Sequence, residues 1–205
     1  MTPMTTTRAG GDGYGVRRFG NTPVPYTVSW TGEESFFLAP CPFFPTGMPA
    51  LSQAVAVGSG QPLFGKPHSR RQREAIARGL CDLCGKSLKA STKVSLSHAR
   101  PQPHGAEGWA ILQVEPMLHR ACAAECVRFC PSLRRDIQNG TLNIRQVTRW
   151  RAQCAVMSQA YVEEITGQRI KALGHGKVEL LSWIDRDEVW LGIYPTPTGA
   201  LNEGD

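Results

Sequence analysis

Between residues 143 and 167 the apolar side chains Ile144, Val147, Trp150, Cys154, Met157, Tyr161 and Ile165 recur every three or four positions. That is the spacing of one helical stripe, and it predicts a long helix packed on a core, with Arg145, Arg149 and Arg151 off the stripe. Elsewhere the period is two. Tyr26, Val28 and Trp30 alternate ahead of Thr31-Gly32-Glu33-Glu34, and residues 35–38 begin a return, so an N-terminal β-hairpin is expected. Residues 177–184 and 188–194 predict a second hairpin around Asp185-Arg186-Asp187, and residues 93–97 and 109–114 predict two more strands. A short helix is expected over 69–78, with Ser69 as N-cap, Gln72 three residues on and Gly79 as the stop.

These elements make an α+β chain in five stretches. A flexible tail over 1–20 is followed by an N-terminal β-hairpin and irregular wrap over 21–67, where Pro and Gly interrupt every run. A central core spans 68–135, a helix plus β-hairpin spans 136–194, and a disordered tail is expected over 195–205. With 41% hydrophobic and 20% charged residues the chain reads as globular. No stretch approaches the roughly 20 apolar residues of a membrane helix, so no membrane partner is expected. The opening MTPMTTTRAGGDGYGVRR has no apolar run, which sets the expectation of a chain without a secretory signal and of a cytoplasmic location.

Charge changes the picture in one place. The net charge is +6, and the excess sits in residues 66–100: nine basic side chains against Glu74 and Asp82. A local field of that sign attracts phosphate backbones or an acidic protein surface. Arg70, Arg71 and Arg73 on the predicted helix, with Lys86, Lys89 and Lys93 further on, are the candidate nucleic-acid contacts. No base-reading motif accompanies them, so such binding would be weakly sequence-specific.

The seven cysteines change it more. In a reducing compartment clustered cysteines point to metal rather than to disulfides, and five of the seven lie between Cys81 and Cys130. Cys41 and Cys154 stand apart and read as small apolar side chains. Cys81-x-x-Cys84 followed by Gly85 has the form of a zinc knuckle, two thiolates reaching one ion over a turn that Gly permits. Thirty-four residues later comes His119-x-x-Cys122, with Pro116 expected in the first turn of a helix running to about Arg128. Knuckle, strands, then ligands at a helix start is a treble-clef arrangement. A Cys3His set fills all four positions of one structural Zn2+ per chain, although Cys126 or Cys130 stands close enough in sequence to replace His119.

Taken together, Cys81, Cys84 and Gly85, then Glu115-Pro116-Met117-Leu118-His119-Arg120-Ala121-Cys122-Ala123, and Cys130-Pro131 resemble a family of uncharacterised bacterial and phage proteins. The shared core of that family looks like CxxCG, a variable hairpin, EPPxHxxCA and CPF. Pro23-Val24-Pro25-Tyr26 and Trp30 are similar to its upstream strand, whereas Met117 and Ser132 depart from the pattern. The resemblance implies Cys81, Cys84, His119 and Cys122 as the ligands, because Cys126 has no counterpart in it. It implies a phage or mobile-element association and no activity.

Three functions compete on these grounds. The first is a non-catalytic, zinc-stabilised binding protein that contacts nucleic acid or an acidic protein through residues 66–100. The second is a nuclease of the HNH type. Ser97-His98-Ala99-Arg100-Pro101 resembles the place where such enzymes carry an Asp-His pair, but Ser97 stands where the acid is expected. The third is an assembly, virion or host-inhibiting interaction protein whose hairpin edges pair with a partner.

Overall fold

A computed structural model describes residues 15–105 and 108–193. Residues 1–14 of the tail expected over 1–20, and all of the tail expected over 195–205, lie outside the described residues. In chain order the strands are β1 (Arg17–Phe19), β2 (Thr22–Val24), β3 (Val28–Trp30), β4 (Phe36–Pro40), β5 (Pro49–Gln53) and β6 (Pro62–Pro67). Helix α1 (Ser69–Arg78) leads to β7 (Lys93–Ser97), β8 (Gln102–Pro103), β9 (Trp109–Gln113) and β10 (Leu118–His119). Then come α2 (Arg120–Phe129), α3 (Pro131–Gln138), β11 (Asn143–Met157), α4 (Gln159–Thr166), β12 (Ala172–Arg186) and the single turn α5 (Glu188–Leu191). The class is α+β, built on one curled sheet.

That sheet runs β10-β7-β11-β12-β5-β4, and β9, itself paired with β8, joins β12. Its backbone is the antiparallel ribbon of β11 and β12, fifteen residues each. Here the structure corrects the sequence pattern twice. Residues 143–157 are a strand, and only Gln159–Thr166 of the expected long helix is helical. The expected second hairpin is absent among the described residues, because Ala172–Arg186 continues as one strand and Glu188–Leu191 turns into α5. The cause is burial on two faces. Ile144, Arg145 and Val147 are all buried, and register shifts after Val147, Arg149 and Cys154 break the period-two alternation. The resulting spacing of three and four imitates a helix.

The N-terminal hairpin is also built differently. Phe36–Pro40 returns against Pro49–Gln53 rather than against Val28–Trp30, which pairs with Pro62–Pro67. Residues 17–19 and 22–24 form a small hairpin of their own across the expected boundary at residue 20, so the end of the expected flexible tail is a strand. Helix α1 occupies the expected residues and ends on Gly79 in the left-handed region at φ 61°, but its N-cap is His68, whose Nδ1 accepts the N–H of Arg71 at 3.3 Å. It packs on β12 and β5.

The main core joins Ile76 of α1, Val94 and Leu96 of β7, Ile111 of β9, Ala123 and Val127 of α2, Ile144 of β11 and Leu180 of β12. Strands β7 and β9 fall where the alternation predicts them, yet they do not pair with each other: β7 lies between β10 and β11, and β9 between β8 and β12. The sheet therefore crosses the expected boundary at residue 135. Among the described residues, no helix is long and apolar enough to cross a membrane.

Candidate metal centre

The first pair of ligands is set by a turn. After α1 the chain makes a bridge between Leu80 and Ser87, and the N–H of Cys81 donates to the Lys86 carbonyl at 2.8 Å. The N–H of Gly85 donates to the Cys81 carbonyl at 2.9 Å, with Gly85 at φ +68°. A side chain is excluded there on two counts, the left-handed backbone and the Tyr26 ring, whose Cδ2 would stand 2.9 Å from a Cβ. Tyr26 holds the knuckle from above, its N–H reaching the carbonyls of Asp82 and Leu83.

The second pair is set by a strand running into a helix. Pro116 precedes this helix instead of opening it, because Leu118 and His119 pair with Val94 and Lys93 before α2 begins at Arg120. His119 is the N-cap, and Cys122 is buried in the first turn. The N–H of Asp82 donates to the Met117 carbonyl at 2.9 Å and stitches the two halves together.

The ligand atoms of Cys81, Cys84, His119 and Cys122 lie within 4.8 Å of one another. Nδ1 of His119 is 3.5 Å from Cys84 Sγ and 3.9 Å from Cys122 Sγ, and the His119 N–H reaches Cys81 Sγ at 3.5 Å. With Zn–S of about 2.3 Å and Zn–N of about 2.0 Å, the edges of a tetrahedral site are about 3.5–3.8 Å. The quartet fits a metal ion of this kind. Nε2 of His119 lies 3.1 Å from the Ser87 carbonyl and donates its proton there, which leaves the Nδ1 lone pair facing the sulfurs. Hydrogen bonding from Cys122 pulls the Cys81 thiol down to about 5 against the effect of burial. The same bond, with burial, raises Cys122, and burial raises Cys84. Such crowded sulfurs resist carrying three negative charges together, and a divalent cation between them removes that resistance.

Cys126 and Cys130 are not in the cluster. Burial holds the Cys126 thiol well above the usual range, and Cys130 caps α2. Among the described residues the quartet is the one group of at least three His, Cys, Asp or Glu side chains arranged to hold a metal ion.

The basic candidates divide. Arg70, Lys86 and Lys89 are exposed, and Lys93 is half-buried with Nζ on the Ser91 carbonyl at 3.2 Å. Arg71 and Arg73 are not surface cations; they are 3% and 1% exposed. Arg71 is consumed by Glu33 and by the carbonyls of Tyr26 and Val28, and Arg73 by the Gly174 carbonyl and Ser52. Two residues apart on a helix, they leave α1 on different sides, Arg71 toward β3 and the Glu33 turn and Arg73 toward β5 and β12, and each stays buried only because the chain supplies acceptors. Arg145 is likewise buried, and Arg151 pairs with Glu179. His98 is exposed, with Nδ1 3.1 Å from the Thr141 carbonyl and Nε2 3.5 Å from Asp136.

Several groups were invisible to spacing. Glu33, in the expected turn, is fully buried, and nothing local marks it as different from its exposed neighbour Glu34. Burial pushes Asp82 up to about 7 despite the hydroxyl of Thr27. It borders an apolar groove of about 640 Å³ between β2, α2 and the Pro116 segment. No protein-family model, curated protein or solved structure matches this chain.

Proposed function

We propose that this chain is a non-catalytic, zinc-stabilised binding protein with a treble-clef core, which contacts nucleic acid through the lysines beside its knuckle. The observation that carries the reading is the ligand set: three sulfurs and one imidazole nitrogen within 4.8 Å of one another, which together would fill all four positions of a tetrahedral ion and leave none for substrate or water. Support for the treble clef is the order of parts, a knuckle at Cys81–Cys84, the antiparallel pair β7 and β10, and a helix whose start carries His119 and Cys122. Lys86 and Lys89, exposed on the turn after Cys84, with Lys93 further on, supply the phosphate contacts.

The test is metal content per natively purified chain, followed by binding of duplex DNA and of RNA at two salt concentrations. One zinc per chain, with affinity that falls steeply as salt rises and weakens in Lys86→Glu/Lys89→Glu, is the expected result. Zinc without polyanion binding turns the basic face toward an acidic protein, including a virion or host partner.

A second reading has one observation in its favour. Asp136 lies beside His98, an acid that the local sequence lacks. Mg2+-dependent nicking of plasmid that disappears in His98→Ala would replace the binding protein with an HNH-type nuclease.

A further inference from the structure

Away from the metal centre, the end of β4 and the exposed rim of α1 enclose a pocket of about 270 Å³ lined by Phe37, Pro40, Cys41, Phe43, Arg70 and Arg73. Its lining holds two guanidinium groups and no carboxylate. Cys41 is half-exposed in it, and Arg70 is exposed at its mouth.

Arg73 forms the floor. It is 1% exposed, with Nη1 on the Gly174 carbonyl at 2.9 Å and Nη2 on Ser52 Oγ at 3.2 Å, while its buried Nε has no hydrogen-bond partner. The groups facing this guanidinium are Cys41, Cys154, His175 and Arg70. Burial lowers Arg73, and Cys41 and Cys154 beside it oppose that effect. Cys154 is not part of the pocket lining; its thiol points to the Gly174 and His175 carbonyls at 3.7 and 3.6 Å, and burial pushes it up to about 11. His175 is held below its usual range by partial burial and by Arg73. A buried positive group with an unmet donor, a second positive group at the rim and one reachable sulfur make a site for an anion that reacts with thiols.

We propose that this pocket is an anion-selective thiol site, in which Cys41 forms a mixed disulfide with small disulfides that carry carboxylates. Arg70 holds a carboxylate of the incoming molecule, and Arg73 faces the charge on sulfur. Cys41 gives its proton to solvent, and the thiolate attacks one sulfur of the disulfide. A new S–S bond forms, the original S–S bond breaks, and the leaving half departs as a thiolate that takes a proton from water. The Cys41 sulfur is oxidised and the departing sulfur is reduced, so the small disulfide is the only oxidant required.

The experiment uses the full-length, zinc-loaded chain with glutathione disulfide, which is anionic, and with cystamine, which is cationic. Adducts are followed by intact mass and located by peptide mapping. Glutathione disulfide is expected to modify Cys41 at least about tenfold faster than cystamine does, the size of effect that local charge imposes on encounter. Arg70→Glu, a change at an exposed position, narrows or reverses that ratio, and Cys41→Ser abolishes the adduct without loss of zinc. Equal rates for the two disulfides, an unchanged ratio in Arg70→Glu, or an adduct confined to Cys126 or Cys130 overturns the proposal. The ratio of adduct rates at Cys41 is read independently of the metal centre, so the two readings fail separately.

Discussion

Glu33 and Arg71, thirty-eight residues apart, meet as a two-pronged pair inside the protein, Oε1 to Nη1 and Oε2 to Nη2 each at 2.7 Å. Both side chains are almost wholly withdrawn from water, at 0% and 4% exposure. Neither is left short of partners. Glu33 also accepts the N–H groups of Trp30 and Ala56, and Arg71 also donates to the carbonyls of Tyr26 and Val28. The pair ties the N-terminal strands to α1.

Burial alone would raise the Glu33 carboxyl, but the bonds from Arg71, Ala56 and Trp30 outweigh it and bring the group from 4.5 down to about 2. A depressed carboxylate stabilises the fold fully above its unfolded value and loses that contribution as pH falls through the folded one. The window is therefore pH 4.5 to 2. Glu33→Gln removes the contribution, worth about 3 kcal/mol. The stability gap between wild type and Glu33→Gln, read by denaturant unfolding, should be wide at pH 6 and shrink toward pH 3. A gap that stays constant would falsify this account. At neutral pH Arg71→Met, which strands the carboxylate, should cost about 3–5 kcal/mol.

Metal removal gives the second expectation. Cys84→Ser deletes one corner of the tetrahedron and should yield chain without stoichiometric zinc and with a lowered melting temperature, because metal affinity at such sites is folding energy. Cys154→Ser, remote from the quartet, keeps a polar group of similar size against Arg73 and the two carbonyls, and should retain zinc and melt within a few degrees of wild type. Equal damage from both substitutions, or none from either, would contradict the ligand assignment.

Gly85 and Tyr26 supply a third. Gly85→Ala incurs the left-handed backbone cost of about 1–2 kcal/mol, to which contact with the ring adds. In a Tyr26→Ala background the ring part vanishes and the backbone part remains. A double-mutant cycle in thermal unfolding should therefore show positive coupling, and strict additivity would remove the ring from the explanation.

Gln72 supplies a fourth. Its amide donates to the Val114 and Gly176 carbonyls at 2.6 and 2.9 Å, and its carbonyl accepts the Gly176 N–H at 2.8 Å. Gln72→Leu keeps the volume and leaves three backbone groups unpaired, at about 1–3 kcal/mol for each one buried. The loss should appear as a lower denaturant midpoint and faster amide exchange at Gly176. Unchanged exchange there would rule out the clasp.

The metal site was legible because its chemistry is written in spacing: two short Cys and His repeats, a glycine where the turn needs one, and a helix that starts inside the second pair, although spacing alone left Cys126 and Cys130 as alternatives to His119. The limits of α1 were legible for the same local reason, a stop glycine. Strand β11 was not, because its pattern depends on what covers it. Arg145 is buried beside Ile144 through strand partners from Ser95 and Asp185, which lie 50 and 40 residues away. Arg71 and Arg73 misled for a related reason. A run of arginines reads as a charged face until Glu33, Ser52 and Gly174 are brought to meet it.

His119 closes the edge of the sheet, opens α2 and stands in the candidate ligand quartet, so one residue is shared by a strand, a helix and the metal site. The sheet it fastens continues beyond residue 135 through β11 and β12. A fragment cut to residues 68–135 would keep every ligand yet lose the strand that covers β7 on one side and the strand that carries β9. Even with an ion bound, such a fragment would expose raw strand edges that invite aggregation. The centre is consequently not a portable module: it can be inherited, lost or engineered only together with the ribbon that follows it.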